Sequence, residues 1–514
     1  MSNTTNHYDL IVIGSDIAGL VAAALVARRG KRVLVLPHGS AEGVYRLQGR
    51  VYGLETAPVV HANTPPCERV FTELGLAQQV RRLATPHDGL AHCVLPHARL
   101  DLEAGERNLE HELSRVWPGD EASAAWDLRR RWTDATEAVL EELLASEHAL
   151  SADGFWGRRF LARVAAQLPP PSTDECEGVS VDHELRALAA SVVPWLSNLT
   201  PAQLGKAAAL RLGRLWSVGP EDLPQGDRKL RELLLQRIEL HSGEVKRELR
   251  VAEILMKRGK IVGVSLLGKR DRYGCDHLIV ATDPQTLLDK HMLADAAPRA
   301  LTQGLAAIAP ASYRFVMYLE VAERGITPAL GALAVCCPLP DDTPHDEAYV
   351  PDRAHGVGHI YLRVEPGLAE DTRRIAITRI MGVDEALGDQ RERILDELDE
   401  RGVLPFVRPW IKLCHSPHDG IEAQDGRGHA LDDYGPGSAM NLPMTPLYFS
   451  DGEPLLGVGL LPTESGIRGL HFACRANLPG LGVEGEFAAG SAAAGLVASP
   501  ARSPLSRSSL LSKA

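Results

Sequence analysis

The residues with the clearest chemical meaning lie in the stretch YDLIVIGSDIAGLVAAALVARRGKRVLVLP, Tyr8 to Pro37. Gly14, Asp16 and Gly19 have the spacing of the turn that opens a dinucleotide-binding unit: an apolar strand, a tight turn at Gly14-Ser15, then a helix whose free N–H groups and dipole attract a diphosphate. The middle position of that turn should be bare, so that backbone can approach the phosphates. Here it carries a carboxylate. Two unit charges about 5 Å apart at an effective dielectric near 20 repel by roughly 3 kcal/mol, on the order of a hundredfold in affinity. At the end of the second strand an acid is expected to accept hydrogen bonds from a ribose, yet the residue is Pro37, with no side-chain acceptor and no N–H. The spacing therefore points to nucleotide chemistry, while two of the recognition residues have been exchanged.

The elements that must position this turn are legible further along. Asn108 to Ala209 is mostly helical; in ASAAWDLRRRWTDATEAVLEELLASEHAL apolar residues recur at three- and four-residue steps with charges between, and Arg129, Arg130 and Arg131 read as a solvated helix face. Next come a helix from about Gly226 and short β-branched strands ending in the buried strand His277 to Ala281. From Ser312 to Met381 the runs SYRFVMYLEV, GHIYLRVE and RRIAITRIM alternate like antiparallel strands, and a helix is predicted at about Val383 to Arg401. The closing passage goes strand, glycine-rich turn, then a small-residue helix from about Val483. No period of 20 to 50 residues repeats, so the chain is not a solenoid.

Composition narrows the partners. The chain has 514 residues, long enough for two or three domains, and a formal charge of −12 that argues against a nucleic-acid partner. Eight cysteines without a CxxC pair, after a start lacking a secretory signal, fit reduced thiols in a cytoplasmic protein. No apolar run reaches the length of a membrane span, which leaves peripheral contact open.

Three separated segments point the same way. The opening unit, the strands ELRVAEI, VGVSLLG and CDHLIVATDP, and the ending LPGLGVEGEFAAGSAAAG together resemble the FAD-dependent amine oxidase and phytoene desaturase-like oxidoreductase superfamily over nearly the whole chain, with a degenerate cofactor fingerprint. The resemblance implies an α/β (α+β overall) fold: a discontinuous Rossmann-like FAD-binding domain built from residues 1–107, 215–285 and 450–498, with a helical insertion at 108–214, a substrate domain of antiparallel sheet and helices at 286–449, and a flexible tail at 499–514. It also implies that Gly14, Ser15, Asp16 and Gly19 face the FAD diphosphate, that Pro37 takes the ribose position, and that Val251 and Ile254 lie on the strand whose backbone contacts the adenine side. Gly480, Gly482 and Gly485 would lie beside the flavin ring and ribityl chain. Further departures appear at the paired-glycine turn, which is Gly43 and Val44, and at the Gly-Asp pair, which is Cys474 and Arg475. Arg475 could pair with a phosphate or with Asp16, and Asp16 could itself be the anion at the helix N-terminus. Leu54 to Pro58, LETAP, stands where the superfamily has an acid after an aromatic.

Other candidates read more plainly. Cys414, His415 and His418 in CHSPHDG lack a second cluster at metal spacing, so a loop with surface histidines is expected and no metal site. Cys336 and Cys337 read as buried small hydrophobes on opposite faces of a strand. PALGALAVCCPL reads as core, or as the lining of a lipophilic tunnel. Two functions follow: an FAD-dependent oxidoreductase moving a hydride between a lipophilic, polyisoprenoid-like substrate and flavin, with no catalytic residue named; or a non-catalytic subunit that keeps the fold for a protein partner and binds FAD weakly or not at all. A nicotinamide enzyme is weaker, because Pro37 is the ribose position for either nucleotide.

Overall fold

The computed structural model describes residues 7–37, 43–57, 64–86, 89–103, 106–145, 154–170, 174–217, 221–223, 226–268, 272–289, 292, 298–328, 330–338 and 355–499. Pro58 of the LETAP motif, Ala329 and the expected tail from residue 500 lie outside them.

Strand β1, His7–Gly14, is apolar and fully buried from Leu10 to Ile13, the signature of a central parallel strand covered on both faces. It pairs in parallel with β2, Val33–Leu36, on one side and with Arg272–Ala281 on the other. Among the described residues the sheet has seven strands in the order Val251–Lys257, Lys260–Leu266, Arg272–Ala281, β1, β2, Glu244–Val245, and Leu470–Phe472 adds in parallel to the end of Arg272–Ala281. Strands distant in sequence thus meet around Gly14 and Ala281, which are register partners.

Helix α1, Ile17–Arg28, is buried from Ile17 to Ala27 because its sequence, IAGLVAAALVAR, has no polar face to offer water. It is enclosed by the sheet, by the helix Asp227–Leu240 and by the final helix, Gly482–Val497. The final helix crosses the first turn of α1 closely: a Cβ on Gly490 would lie 2.3 Å from the Ala18 carbonyl oxygen. Small residues on both helices permit that approach.

Among the described residues the second sheet has eight strands, centred on the fifteen-residue strand Ile308–Ala322, which pairs antiparallel with Thr372–Gly382, Ile411–His415 and Thr445–Ser450. The outcome is the expected class, a Rossmann-like α/β unit with an inserted antiparallel sheet and helices. Among the described residues no helix is long and apolar enough to cross a membrane.

Three local expectations need correction. The helix predicted from Val383 begins at Gln390, because Gly382 and Gly388 bracket a turn before it. Arg129 is not on a solvated face; it is buried, ion-paired with Glu175 and donates to the Ala189 carbonyl at 3.3 Å, so the helix Asp120–Ala145 is held by an interior charge. His415 and His418 are not surface residues. The first is stacked on Tyr318 and meets Tyr45 and Tyr52 edge to face, and the second donates from Nδ1 to the Leu442 carbonyl, both almost wholly buried. Cys336 and Cys337 go to two different cores, as strand neighbours do.

Candidate functional site

The turn after β1 has the shape its glycines predict, but protein atoms rather than open space surround them. Gly14 has φ +100°, and a Cβ there would lie 2.1 Å from the Ala281 carbonyl oxygen; one on Gly19 would lie 2.1 Å from the Ala281 Cβ. Both glycines are therefore demanded by helix-against-strand packing. Between them, the Asp16 N–H donates to the Ala281 carbonyl at 3.0 Å and holds the turn closed.

Asp16 is not the anion at the helix N-terminus. It occupies the N-cap position without making a side-chain cap; its Oδ2 instead accepts from the backbone N–H of Arg475 at 3.2 Å. The capping carboxylate comes from 468 residues away: Glu486 Oε2 accepts from the Ala18 N–H at 3.3 Å. Glu486 and Gly490 are one turn apart on the final helix and so share a face. The close crossing that Gly490 permits carries Glu486 onto the free N–H groups of α1, the place where a diphosphate would otherwise accept.

The side chain of Arg475 turns away from Asp16. Its Nη1 donates to Glu55 Oε1 at 2.5 Å and its Nε lies 3.7 Å from Glu486 Oε1. Glu55 in turn stands 4.0 Å from Arg314 and accepts from the Thr445 hydroxyl. On the other flank, Arg231 Nε donates to Asp227 Oδ2 at 2.7 Å, and Nη1 donates to the Ser15 carbonyl. Gly43 (φ +63°) leaves room for this pair, since a Cβ there would lie 2.8 Å from both Arg231 Nε and Asp227 Oδ2.

The cluster thus sets four carboxylates, Asp16, Glu55, Asp227 and Glu486, against three guanidiniums, Arg231, Arg314 and Arg475. One negative charge is in excess, in a setting where Glu486 is 3% and Arg231 5% exposed. Burial pushes the Glu486 carboxyl up to about 7 against the pull of Arg475, with Asp16 adding to the rise; burial also raises Asp16. Glu55 feels the same burial, but Arg475, Arg314 and the Thr445 hydroxyl outweigh it and leave its carboxyl below the ordinary value. Burial thus pushes both Asp16 and Glu486 toward the protonated form, the direction that relieves the excess charge.

The inner side of the cluster is almost full. The cavity bounded by Glu55, Trp195, Arg314, Arg475, Leu481 and Glu486 measures about 40 Å³, room for a few waters against the roughly 300–1,000 Å³ of a ligand pocket. Gly480, Gly482 and Gly485 also face protein: their Cβ positions would lie 2.8 Å from Val458 Cα, 2.0 Å from the Leu196 carbonyl oxygen and 2.2 Å from the Leu478 carbonyl oxygen. Asn198 ties its segment down by donating to the Pro479 carbonyl at 2.8 Å. These residues do not fit a dinucleotide laid across the N-terminus of α1, where a diphosphate would meet the Glu486 carboxylate and a cavity of about 40 Å³.

Outside the cluster lies a cavity of about 270 Å³ that includes Ser15, Pro37, Val44 and Arg46. Val251 does not reach it. Its side chain packs in the core on one face of the sheet, and Val245, in the strand at the opposite sheet edge, and Arg247 just after it line the cavity instead. Among the described residues no group of three His, Cys, Asp or Glu could hold a metal.

The structure brings Gly14, Ser15, Asp16, Gly19, Gly43 and Arg475 together around one charge cluster, with Pro37 on the outer cavity and Gly480, Gly482 and Gly485 at the start of the final helix. Sequence reasoning missed Glu486, Asp227, Arg231 and Arg314. Two acids in the otherwise small-residue run GVEGEFAAGSAAAG were a usable signal, as was the i, i+4 pair Asp227 and Arg231.

The fold is a Rossmann-like α/β architecture with an inserted domain, like that of the FAD-dependent amine oxidases. The chain is 15% identical to cyclohexylamine oxidase from Brevibacterium oxydans IH-35A (TM-score 0.55, 96% of this chain and 98% of the other). It is 13% identical to wild-type putrescine oxidase bound to putrescine (TM-score 0.53, 96% and 99%). An oxidoreductase from Methanosarcina mazei matches at 14% identity and TM-score 0.54 over 94% and 98%. Such likeness concerns fold alone. In sequence, 84 residues are 33% identical to protein FixC of Escherichia coli (strain K12), 16% of this chain and 20% of FixC; the chain aligns with about a fifth of the curated relatives it matches. No protein-family model matches.

Proposed function

We propose that this chain is a non-catalytic protein of the flavoprotein fold, a binding or assembly subunit whose FAD binding is weak or absent. One observation carries the reading: the carboxylate of Glu486 already accepts from the N-terminus of α1, inside a buried cluster that Asp16, Glu55 and Arg475 complete. The cluster supplies from within the chain the negative charge that a helix N-terminus attracts. A protein partner is the corresponding expectation for what it binds, and the eight free, buried cysteines suit a cytoplasmic setting. The same reading treats residues 1–107, 215–285 and 450–498 as one unit.

The test is the colour of the purified chain, followed by FAD titration of the parent, Asp16→Gly and the double variant Asp16→Gly/Glu486→Ala. The parent is expected colourless. Asp16→Gly should bind at least tenfold tighter, which corresponds to about 1.4 kcal/mol, and the double variant tighter again. A parent that emerges stoichiometrically yellow overturns the reading.

A second reading, an FAD-dependent oxidoreductase of a lipophilic, polyisoprenoid-like substrate, is favoured by the fold and by the open cavity beside Ser15 and Pro37. The same titration separates the two.

A further inference from the structure

We propose that the tip of the β-hairpin formed by Val251–Lys257 and Lys260–Leu266 is a docking surface for an extended acidic segment of a protein partner. The proposal rests on the assembly reading only for the existence of such a partner, and it names the partner's chemistry.

Two residues, Arg258 and Gly259, join these strands, and both have positive φ, +53° and +72°. A two-residue turn of that kind matches the twist of the strands, and its first position ordinarily holds asparagine, aspartate or glycine. A long side chain is strained there. Arg258 makes no hydrogen bond or ion pair among the described residues, so the strain retains a charge without an internal use.

Three further cations share the tip. Lys257 and Lys260 are register partners on either side of the turn, and the Ile261 N–H, donating to the Arg468 carbonyl at 3.1 Å, brings Arg468 beside Lys260. These three make no ion pair among the described residues either, and Lys257, Arg258 and Arg468 are exposed. Acids do not cancel them. On the three strands of this sheet end the acids are Glu253, four residues before Lys257, and Asp276, which His7 meets at 3.4 Å; Glu464, in the loop that carries Arg468, has an interaction of its own. In a chain of formal charge −12 the tip is a local reversal of sign, which steers an acidic partner to it.

The strand edge fixes the form of that partner. Val251–Lys257 ends the sheet, with no strand on its outer side among the described residues. Ile254 turns its N–H outward to the Met292 carbonyl at 3.0 Å, so by alternation Met256 presents its own N–H and carbonyl outward, next to the basic turn. A partner backbone can pair there while its acidic side chains reach the cations, the mode of strand addition. None of residues 256–261 is aromatic. Nucleic-acid bases would therefore find no stacking platform at the tip, and a bilayer interface no ring to anchor it.

The experiment is fluorescence anisotropy of the full chain with a labelled peptide that alternates glutamate and valine over about ten residues. Its glutamine counterpart, a single-stranded oligonucleotide, and vesicles of phosphatidylserine and phosphatidylcholine in equal parts are the comparisons. The expected result is saturable binding of the acidic peptide, at least about tenfold tighter than the glutamine one, and a loss of about tenfold or more in Lys257→Ala/Lys260→Ala. Arg131→Ala/Arg299→Ala removes the same charge from two exposed arginines elsewhere and should leave binding unchanged. Arg258→Asn keeps the turn, so it should raise the urea midpoint while weakening the peptide; these opposed directions separate a docking residue from a structural one. No saturable binding up to ~1 mM, an equal loss in the control pair, tighter binding of the oligonucleotide or the vesicles, or an Arg258→Asn variant that binds as well as the parent or unfolds earlier each overturns the proposal. The assembly reading fails on the colour of the chain and this proposal on the peptide, so either can fall alone.

Discussion

Replacing Glu486 with Gln tests whether the cluster stores a proton. Glutamine keeps the shape of the protonated acid and its carbonyl oxygen can still accept from the Ala18 N–H. Glu486 is raised from 4.5 to about 7 in the folded chain, chiefly by burial. An acid whose folded value lies above its unfolded one contributes stability that is fully present below the unfolded value and lost as pH rises through the folded one. The window is therefore about 4.5 to 7. Its size is that gap at about 1.36 kcal/mol per unit, on the order of 3 kcal/mol. The assay is urea unfolding of parent and Glu486→Gln at about pH 5 and about pH 8, with both stabilities extrapolated to water. Near pH 5 the two should be alike. Near pH 8 the glutamine variant should be more stable by about 2–3 kcal/mol, because only the parent must bury an extra charge. A parent-minus-variant difference that stays constant between the two pH values refutes the stored proton and the charge count behind it.

The remaining predictions concern the same cluster and its supports. Arg475→Ala leaves Glu55 and Glu486 without their shared cation, so stability at neutral pH should fall by about 3–5 kcal/mol, read from the denaturant midpoint; a loss below ~1 kcal/mol, the scale of a surface ion pair, would contradict the burial argument. Gly490→Ala puts a Cβ 2.3 Å from the Ala18 carbonyl oxygen, and should cost about 1–3 kcal/mol by the same measurement. His415 is held down to about 3 by burial, with Arg391 and Arg374 adding to the effect. Its stabilising contribution is full above the ordinary value of 6.5 and falls as pH drops toward 3, so its imidazole signals should not titrate at mildly acidic pH. Pro37→Glu restores one charged acceptor worth about 1.5–3 kcal/mol, which the roughly 3 kcal/mol repulsion from Asp16 offsets. FAD should remain sub-stoichiometric in that variant, and full occupancy would refute the account.

What the sequence disclosed, and what it hid, follows from the range of the interactions. The βαβ opening was legible because an apolar strand, a glycine turn and an apolar helix are written in consecutive residues, and the same holds for the alternating strands around Ile308–Ala322. The departures at Asp16 and Pro37 were legible because each breaks a fixed local spacing. Glu486 was not, since its role depends on a helix crossing between residues 468 apart. The partner of Asp16 was half legible: Arg475 is the residue, but its backbone N–H makes the contact and its side chain goes to Glu55. Backbone donors leave no trace in residue type. Arg129, His415 and His418 failed for the opposite reason, as polar residues are usually read as solvated and here each is enclosed by residues remote in sequence.

The crossing of the final helix over α1 also sets an order of events during synthesis. Helix α1 is complete by residue 28, yet the carboxylate that satisfies its first turn arrives at residue 486. At about 5–20 residues per second the interval is roughly half a minute to a minute and a half. Through that time a helix with no polar face and an open N-terminus waits without its cover. Here the last piece is covalently attached and late, so the nascent chain has a long window of exposure to chaperones, and a ribosome that stops short of the final helix releases a product whose first-made helix is never covered.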